Sequence, residues 1–531
     1  MTALMKPATS NWSRILRRRT TMTKPRKSQP ARRLLTFAEP RLRFGFEQLL
    51  EDPKDGLMMF GPPKKLHGIH YGVIGTPDGI RQFEAWAAKI KQAVPADPKV
   101  GSSITYPGFE AVFRTAWDDA PRVKIEVDPD ELNSKVKLTD PHQRVYDTVE
   151  LFSKPIIRWV EEEDPKVALW FVVVPEEVWK LCRPRSIISK AEGVAPEVAL
   201  SHSKAIALLE EPDLFDEANV AAEKHLFENH FHNQLKAKLL GCEAITQLVR
   251  QTTIAPHEYL NSKGERSRKM QDDATVAWNL TTGVYYKAGE KPWTLADIRD
   301  GVCYIGLVFK RTNNPLEAKE ACCGAQMFLH TGEGIVFKGA VGQWASDKFG
   351  EYHLSEEKAE DIVRRCVEAY KNLHNRQPPR EVFIHGRTRF NRDEIKGFRK
   401  GAPDGTSVTG IQVLRPNDLK LFREGRKAVL RGLALKVDQR NAFVWSAGYV
   451  PHLRTYPGRE VPTPLKVKIV FGDTKLEQVI ADILALTKVN FNTCIFNDGL
   501  PVTLRFADDI GEILTAIPDV TSKPLPFRHY L

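Results

Sequence analysis

The chain has 531 residues, too many for one ordinary core, so two or three domains are expected. Hydrophobic residues at 42%, charged residues at 27%, and near-average Gly (34) and Pro (35) exclude collagen-like and low-complexity classes. The net charge is +11, but residues 1–45 hold twelve Lys or Arg against one acid, Glu39, so the rest is neutral overall. Any nucleic-acid site in the body must therefore be a local patch.

The basic tail, residues 1–40, has little to bury and is expected to be disordered. It also reads as an Arg-rich transit peptide, or as an over-long start with Met5 or Met22 as the initiator. From about Arg41 strand-like and helix-like segments alternate. His67–Thr76 reads as a strand, Asp78–Lys91 as an amphipathic helix, Asp140–Glu162 as a helix, and Val167–Val174 as a buried strand. That last run is the longest uncharged apolar stretch and far too short for a bilayer, so no membrane segment is expected. Helices near His225–Leu240 and Ala274–Tyr286 complete an α/β half.

The second half has a different order. Val302–Lys310 reads as a strand and Ala325–Ala340 as a hairpin turning at Gly332–Gly334. A long helix begins after a Ser355 N-cap, then come a strand at Glu381–His385 and a helix near Asn391–Lys400. Three meander strands, helix, strand and helix is a ribonuclease H-like order, which other α/β folds share in part. Seven cysteines without a CxxC pair fit a reducing, cytoplasmic setting and argue against a structural zinc site. His225 and His230 sit close together, but no Cys or carboxylate pattern joins them into a metal motif.

Four stretches carry more than this pattern. PTPLKVKIVFGDTKLEQVIADILALTKVNFN (462–492) and LPVTLRFADDIGEIL (500–514) resemble the closing segments of the PIWI domain of Argonaute proteins. AITQLVRQTTI (244–254) and ATVAWNLTTGVYYKAG (274–289) resemble the guide-end-binding part of the MID domain. The resemblance implies an α/β chain with a Rossmann-like MID domain at 41–290 and a ribonuclease H-like PIWI domain at 291–531. Since 41–531 leaves no room for N and PAZ domains, it implies a short prokaryotic Argonaute.

In that family the guide 5′-phosphate is held by a Tyr or His, a Lys four residues on, a Gln, a second Lys and the terminal carboxylate. The matching positions are His232, Lys236, Gln247, Lys287 and Leu531. Lys236 lies one helical turn from His232 on the same face, whereas its rival Lys238 points elsewhere. The resemblance also implies Mg²⁺ held by Gln247 and the Leu531 carboxylate. Target-cleaving PIWI domains carry a carboxylate tetrad, because two close-set metal ions need several acidic ligands. Here Val308 and Arg387 stand at two of those positions, and Asp508, near the fourth, reads rather as a helix-start acid.

The implied function is that of a non-cleaving guide-binding subunit. It would load a small guide RNA, recognise single-stranded target DNA from an invader, and activate a separate APAZ-domain effector of sirtuin-like, TIR or nuclease type. Two alternatives stay open: a guide-dependent nuclease using other acids such as Glu333 or Asp473, and a partner-free RNA-binding regulator that relies on the tail.

Overall fold

A computed structural model describes residues 33–101, 103–163, 167–189, 191–214, 216–311, 320–329, 332, 334–343, 353–416, 418–456, 458, 460–518, 520 and 523–531. Its first half is built on a four-stranded, fully parallel sheet. The spatial order is Val123–Glu126, Tyr71–Gly75, Leu169–Val174, Thr246–Arg250. The apolar run 167–174 becomes the central strand Leu169–Val174, every residue buried, as a parallel strand covered on both faces requires. Helices Pro77–Lys91 and Pro141–Glu162 begin where Thr76 and Asp140 cap them.

The second half is a ten-stranded sheet. At its centre Val302–Arg311, Glu320–Leu329 and Gly334–Gln343 form the antiparallel meander, and Glu381–Gly386 joins parallel to the first of them. Ser407–Leu414 lies parallel to Glu381–Gly386, which completes the ribonuclease H-like order. Strand alternation sends Cys303, Ile305 and Leu307 to one core with helices Glu356–Leu373 and Arg392–Lys400. Val302 and Tyr304 face the other way, into a core shared with helix Leu476–Leu486 and with the first half. The fold is thus a mixed α/β architecture of two halves joined by one continuous core.

Two expectations need correction. The tail was expected to run through residue 40, yet Arg33–Thr36 pairs antiparallel with Leu433–Lys436 at the sheet edge. Glu39 accepts from Arg431 Nε (2.8 Å) and Lys488 Nζ (2.8 Å), two cations whose side chains are almost fully buried. Burial pushes the Glu39 carboxyl up, but those two charges outweigh it and hold it below its ordinary range. Residues 1–32 lie outside the described residues. The helix expected from His225 starts instead at Phe231, because His230 Nδ1 accepts from Asn233 N and caps it; a short 3₁₀ turn occupies Lys224–Leu226.

The expected boundary at 290 falls between helix Asp273–Lys287 and strand Thr294–Leu295, which pairs back onto Leu42–Arg43. Between strand Leu169–Val174 and helix Phe231–Leu240 the chain makes a helical excursion containing His202–Glu210 and Asp216–Glu223. Among the described residues, no helix is long and apolar enough to cross a membrane.

Candidate functional site

All five residues expected at the phosphate site line one cavity of about 310 Å³. His232 and Lys236 come from helix Phe231–Leu240, Gln247 from strand Thr246–Arg250, and Lys287 from the last turn of helix Asp273–Lys287. Asn492 and Leu531 reach in from the second half, so the cavity lies on the seam between the two sheets. Lys236 Nζ donates to the Thr246 carbonyl (2.8 Å) and to the Leu531 main-chain oxygen. Lys287 Nζ donates to Gln247 Oε1 (2.8 Å). The ambiguity between neighbouring lysines is resolved by geometry: Lys238 sits 3.9 Å over the Tyr146 ring and pairs with Glu150, away from the cavity.

Both cavity lysines are 2% exposed. Among the described residues, no acidic side chain lines the cavity. Their hydrogen-bond partners are neutral amide groups together with the oxygen of the last residue. Burial drives Lys236 well below the ordinary lysine range, with repulsion from Lys287 adding to it, and burial alone brings Lys287 down to about 7. His232 is pushed down to about 3 by burial and then by Lys236, so it is neutral at physiological pH. Its Nδ1–H donates to Asn233 Oδ1 (3.0 Å). Charge in the cavity therefore comes from the lysines, and an entering anion restores their preferred protonated state.

The rim holds groups that the motif comparison passes over. Arg250 stacks 4.3 Å from the Trp179 ring and forks onto the Glu176 carboxylate (2.7 and 2.8 Å). A wider groove of about 680 Å³ continues from Gln247 and Asn492 past Arg268, Lys269 and Thr493. These residues are separated along the chain and follow no spacing rule, so only the fold assembles them.

The C-terminal edge of the central strands of the second sheet, where the sequence resemblance places the carboxylates of a metal-dependent nuclease, is built differently. Val308 stands in strand Val302–Arg311 in register with Gly324; its side chain lies outside the described part. Arg387 follows strand Glu381–Gly386 and donates from Nη1 to the Asp508 carboxylate (2.8 and 3.1 Å), and from Nη2 to the Leu504 carbonyl (3.2 Å). Asp508 lies in the first turn of helix Ala507–Leu514, as the helix-start reading expects. Gly306 faces the Thr503 carbonyl so closely that an added Cβ would lie 1.9 Å from its oxygen. Among the described residues, clusters of three metal-binding side chains occur at two other places and not at this edge. Of the other acids considered, Asp473 is fully exposed 4.0 Å from Arg440, and Glu333 lies outside the described residues.

No protein-family model matches the chain. Over 252 residues, 47% of its length, it is 23% identical to the Argonaute protein of Aquifex aeolicus (strain VF5), of which the matched part is 33%. Its fold is similar to Clostridium butyricum Argonaute bound to a guide DNA and a 19-mer target DNA. That match has a TM-score of 0.56 and 15% identity, and covers 92% of this chain and 54% of that one. It is likewise similar to A. aeolicus Argonaute, with a TM-score of 0.52 and 14% identity, covering 93% and 55%. The chain thus spans about half the length of these structures. Its two halves have the α/β architecture of the Argonaute MID and PIWI domains.

Proposed function

We propose that the chain binds a small guide through its 5′-phosphate and presents it for base pairing with a target, without cutting that target. The observation that carries this reading is the pair of buried lysines, Lys236 and Lys287, converging on a cavity without acidic side chains. Buried cations need a counter-charge, and a terminal phosphate supplies one with enough oxygens to accept from both. Base pairing then supplies sequence readout, so the protein has only to hold the guide's end and backbone. The solved Argonaute with guide and target DNA supports that assignment of partners.

Mg²⁺ fits the donor set. Gln247 Oε1 and the Leu531 oxygen are hard donors, of the kind Mg²⁺ takes alongside substrate phosphates. Gln247 and Leu531 would hold the ion, whose chemistry when bound is to neutralise phosphate charge. The protein's part is to bind and orient: the two lysines fix the phosphate and Asn492 closes the cavity from the second half.

The reading without cleavage is supported by Arg387, which stands at one of the expected carboxylate positions and pairs with Asp508. A guided binder of this kind reports target recognition to something else. The proposal extends to the short prokaryotic Argonaute type, with guide RNA, single-stranded invader DNA as target, and an APAZ-domain effector that duplex formation switches on by population shift. The test is to extract the nucleic acid that copurifies with the chain. Short RNA that accepts a radiolabel from polynucleotide kinase only after phosphatase treatment supports the proposal. Unphosphorylated or random-length nucleic acid, or cleavage of a complementary DNA by the loaded chain, overturns it.

A further inference from the structure

Three histidines far apart in sequence meet beside the helical excursion of the first half. His142 lies in the first turn of helix Pro141–Glu162, His202 opens helix His202–Glu210, and His225 sits in the turn Lys224–Leu226. Their ligand atoms lie within 4.8 Å of one another, and the rings of His142 and His225 are 4.3 Å apart. His225 is only 3% exposed, yet neither of its ring nitrogens makes a hydrogen bond. A buried imidazole left in that state wants a partner.

His142 Nε2 lies 3.1 Å from Asn229 Nδ2, while Asn229 Oδ1 is buried without a hydrogen bond. A flip of that amide lets its oxygen accept from Nε2–H and leaves Nδ1 free for a metal, the disposition of metal-ligating histidines. His225 Nε2 lies 3.6 Å from Asp140 Oδ2, beyond hydrogen-bond distance, and in both rings Nδ1 has no hydrogen-bond partner. Asp140 also caps its helix through Oδ1 and brings a negative charge to two helix starts that would otherwise disfavour a cation.

We propose that His142, His202 and His225 form a structural zinc site that fastens the helical excursion to the body of the first half. Imidazole donors select zinc among the common cellular divalent ions, and Asp140 or water completes a four-coordinate shell. Tetrahedral zinc with nitrogens at about 2.0–2.1 Å needs them about 3.3 Å apart, so binding the ion draws the three rings together from their present spacing within 4.8 Å. The need for such a fastening is visible in the excursion's own core, whose buried members are Leu200, Ala205, Ala221 and Ala222. Three alanines and one leucine bury little apolar surface, and small cores of that kind depend on staples. The site lies on the segment leading into helix Phe231–Leu240, and it is independent of the phosphate cavity.

The experiment uses the full chain, stripped with chelator and titrated with Zn²⁺, with Co²⁺ as a spectroscopic probe. One zinc per chain by elemental analysis, the intense visible bands of four-coordinate Co²⁺ and a raised melting temperature on adding Zn²⁺ are expected. His202 is exposed, so His202→Gln should keep the melting temperature of the stripped wild type while losing at least about tenfold in zinc affinity. Failure to retain zinc, a six-coordinate Co²⁺ spectrum, or undiminished affinity in both His202→Gln and His142→Gln would overturn the site.

Discussion

The cavity on the seam and the C-terminal edge of the central strands of the ten-stranded sheet both present basic side chains, and they differ in how the charge is met. Lys236 and Lys287 are buried and face no acidic side chain, whereas Arg387 is half exposed and already paired with Asp508. A buried lysine with no acidic side chain beside it is costly to charge in the free protein, and an entering anion relieves that cost. A compensated, solvent-exposed pair is finished in itself and contributes little. The same kind of residue thus faces a cavity without acidic side chains in one half and its own carboxylate partner in the other.

The comparison breaks most directly at the lysines. Lys236→Ala and Lys287→Ala should each weaken binding of 5′-phosphorylated RNA about tenfold to a hundredfold, since a charge-assisted hydrogen bond contributes roughly 1.5–3 kcal/mol. Binding of the same RNA with a 5′-hydroxyl should change little. Unaltered affinity for the phosphorylated form in both variants would remove the basis for the contrast.

On the other side, Gly306→Ala probes how tightly the central strand Val302–Arg311 is covered. The new Cβ would meet the Thr503 carbonyl, and overpacking of this sort costs about 1–3 kcal/mol, readable as a lower denaturation midpoint. A variant as stable as the parent would mean that this face of the sheet has room to spare.

Protonation sharpens the contrast further. With its pKa at about 7 in the free cavity, Lys287 carries its charge below that pH and loses it above. Phosphate binding restores the proton, so affinity for 5′-phosphorylated RNA should fall as pH rises from 7 to 9, approaching about tenfold per unit from this group. The stability of the free chain should respond in the opposite sense. The unfolded lysine, at its ordinary 10.5, binds more protons than the folded one between pH 7 and 10.5, so this group's contribution to stability rises across that window. A pH-independent affinity would point away from Lys287.

The smallest effect is expected at the pair itself. Arg387→Ala should cost less than about 1 kcal/mol in stability, because both partners are largely exposed. A much larger loss would show that the edge depends on this contact.

What the sequence reveals and what it hides follows from the range of the interactions involved. The strand Leu169–Val174 is legible because an unbroken apolar run has few other homes, and helix Pro141–Glu162 because Asp140, Pro141 and its apolar stripe act locally. His232 and Lys236 are legible as a pair one turn apart, and their spacing separates Lys236 from Lys238. The packing of residues 33–40 against the second half is not legible. Glu39 stands in a basic, turn-rich segment, and its partners Arg431 and Lys488 are 392 and 449 residues away. The histidine cluster is hidden for the same reason: His142, His202 and His225 come from three elements with no motif spacing, while the nearer pair His225 and His230 does not form the site. Local periodicity finds elements, and only the assembled fold reports which charges and rings are left without partners.

The most direct test of the central claim is equilibrium binding of one short RNA carrying either a 5′-phosphate or a 5′-hydroxyl, at pH 7 with Mg²⁺ and again with chelator. The buried lysines predict a preference for the phosphate of at least about tenfold, diminished when Mg²⁺ is withdrawn. Equal affinity for the two RNAs would contradict it, and the cavity on the seam would then be a buried structural contact like any other.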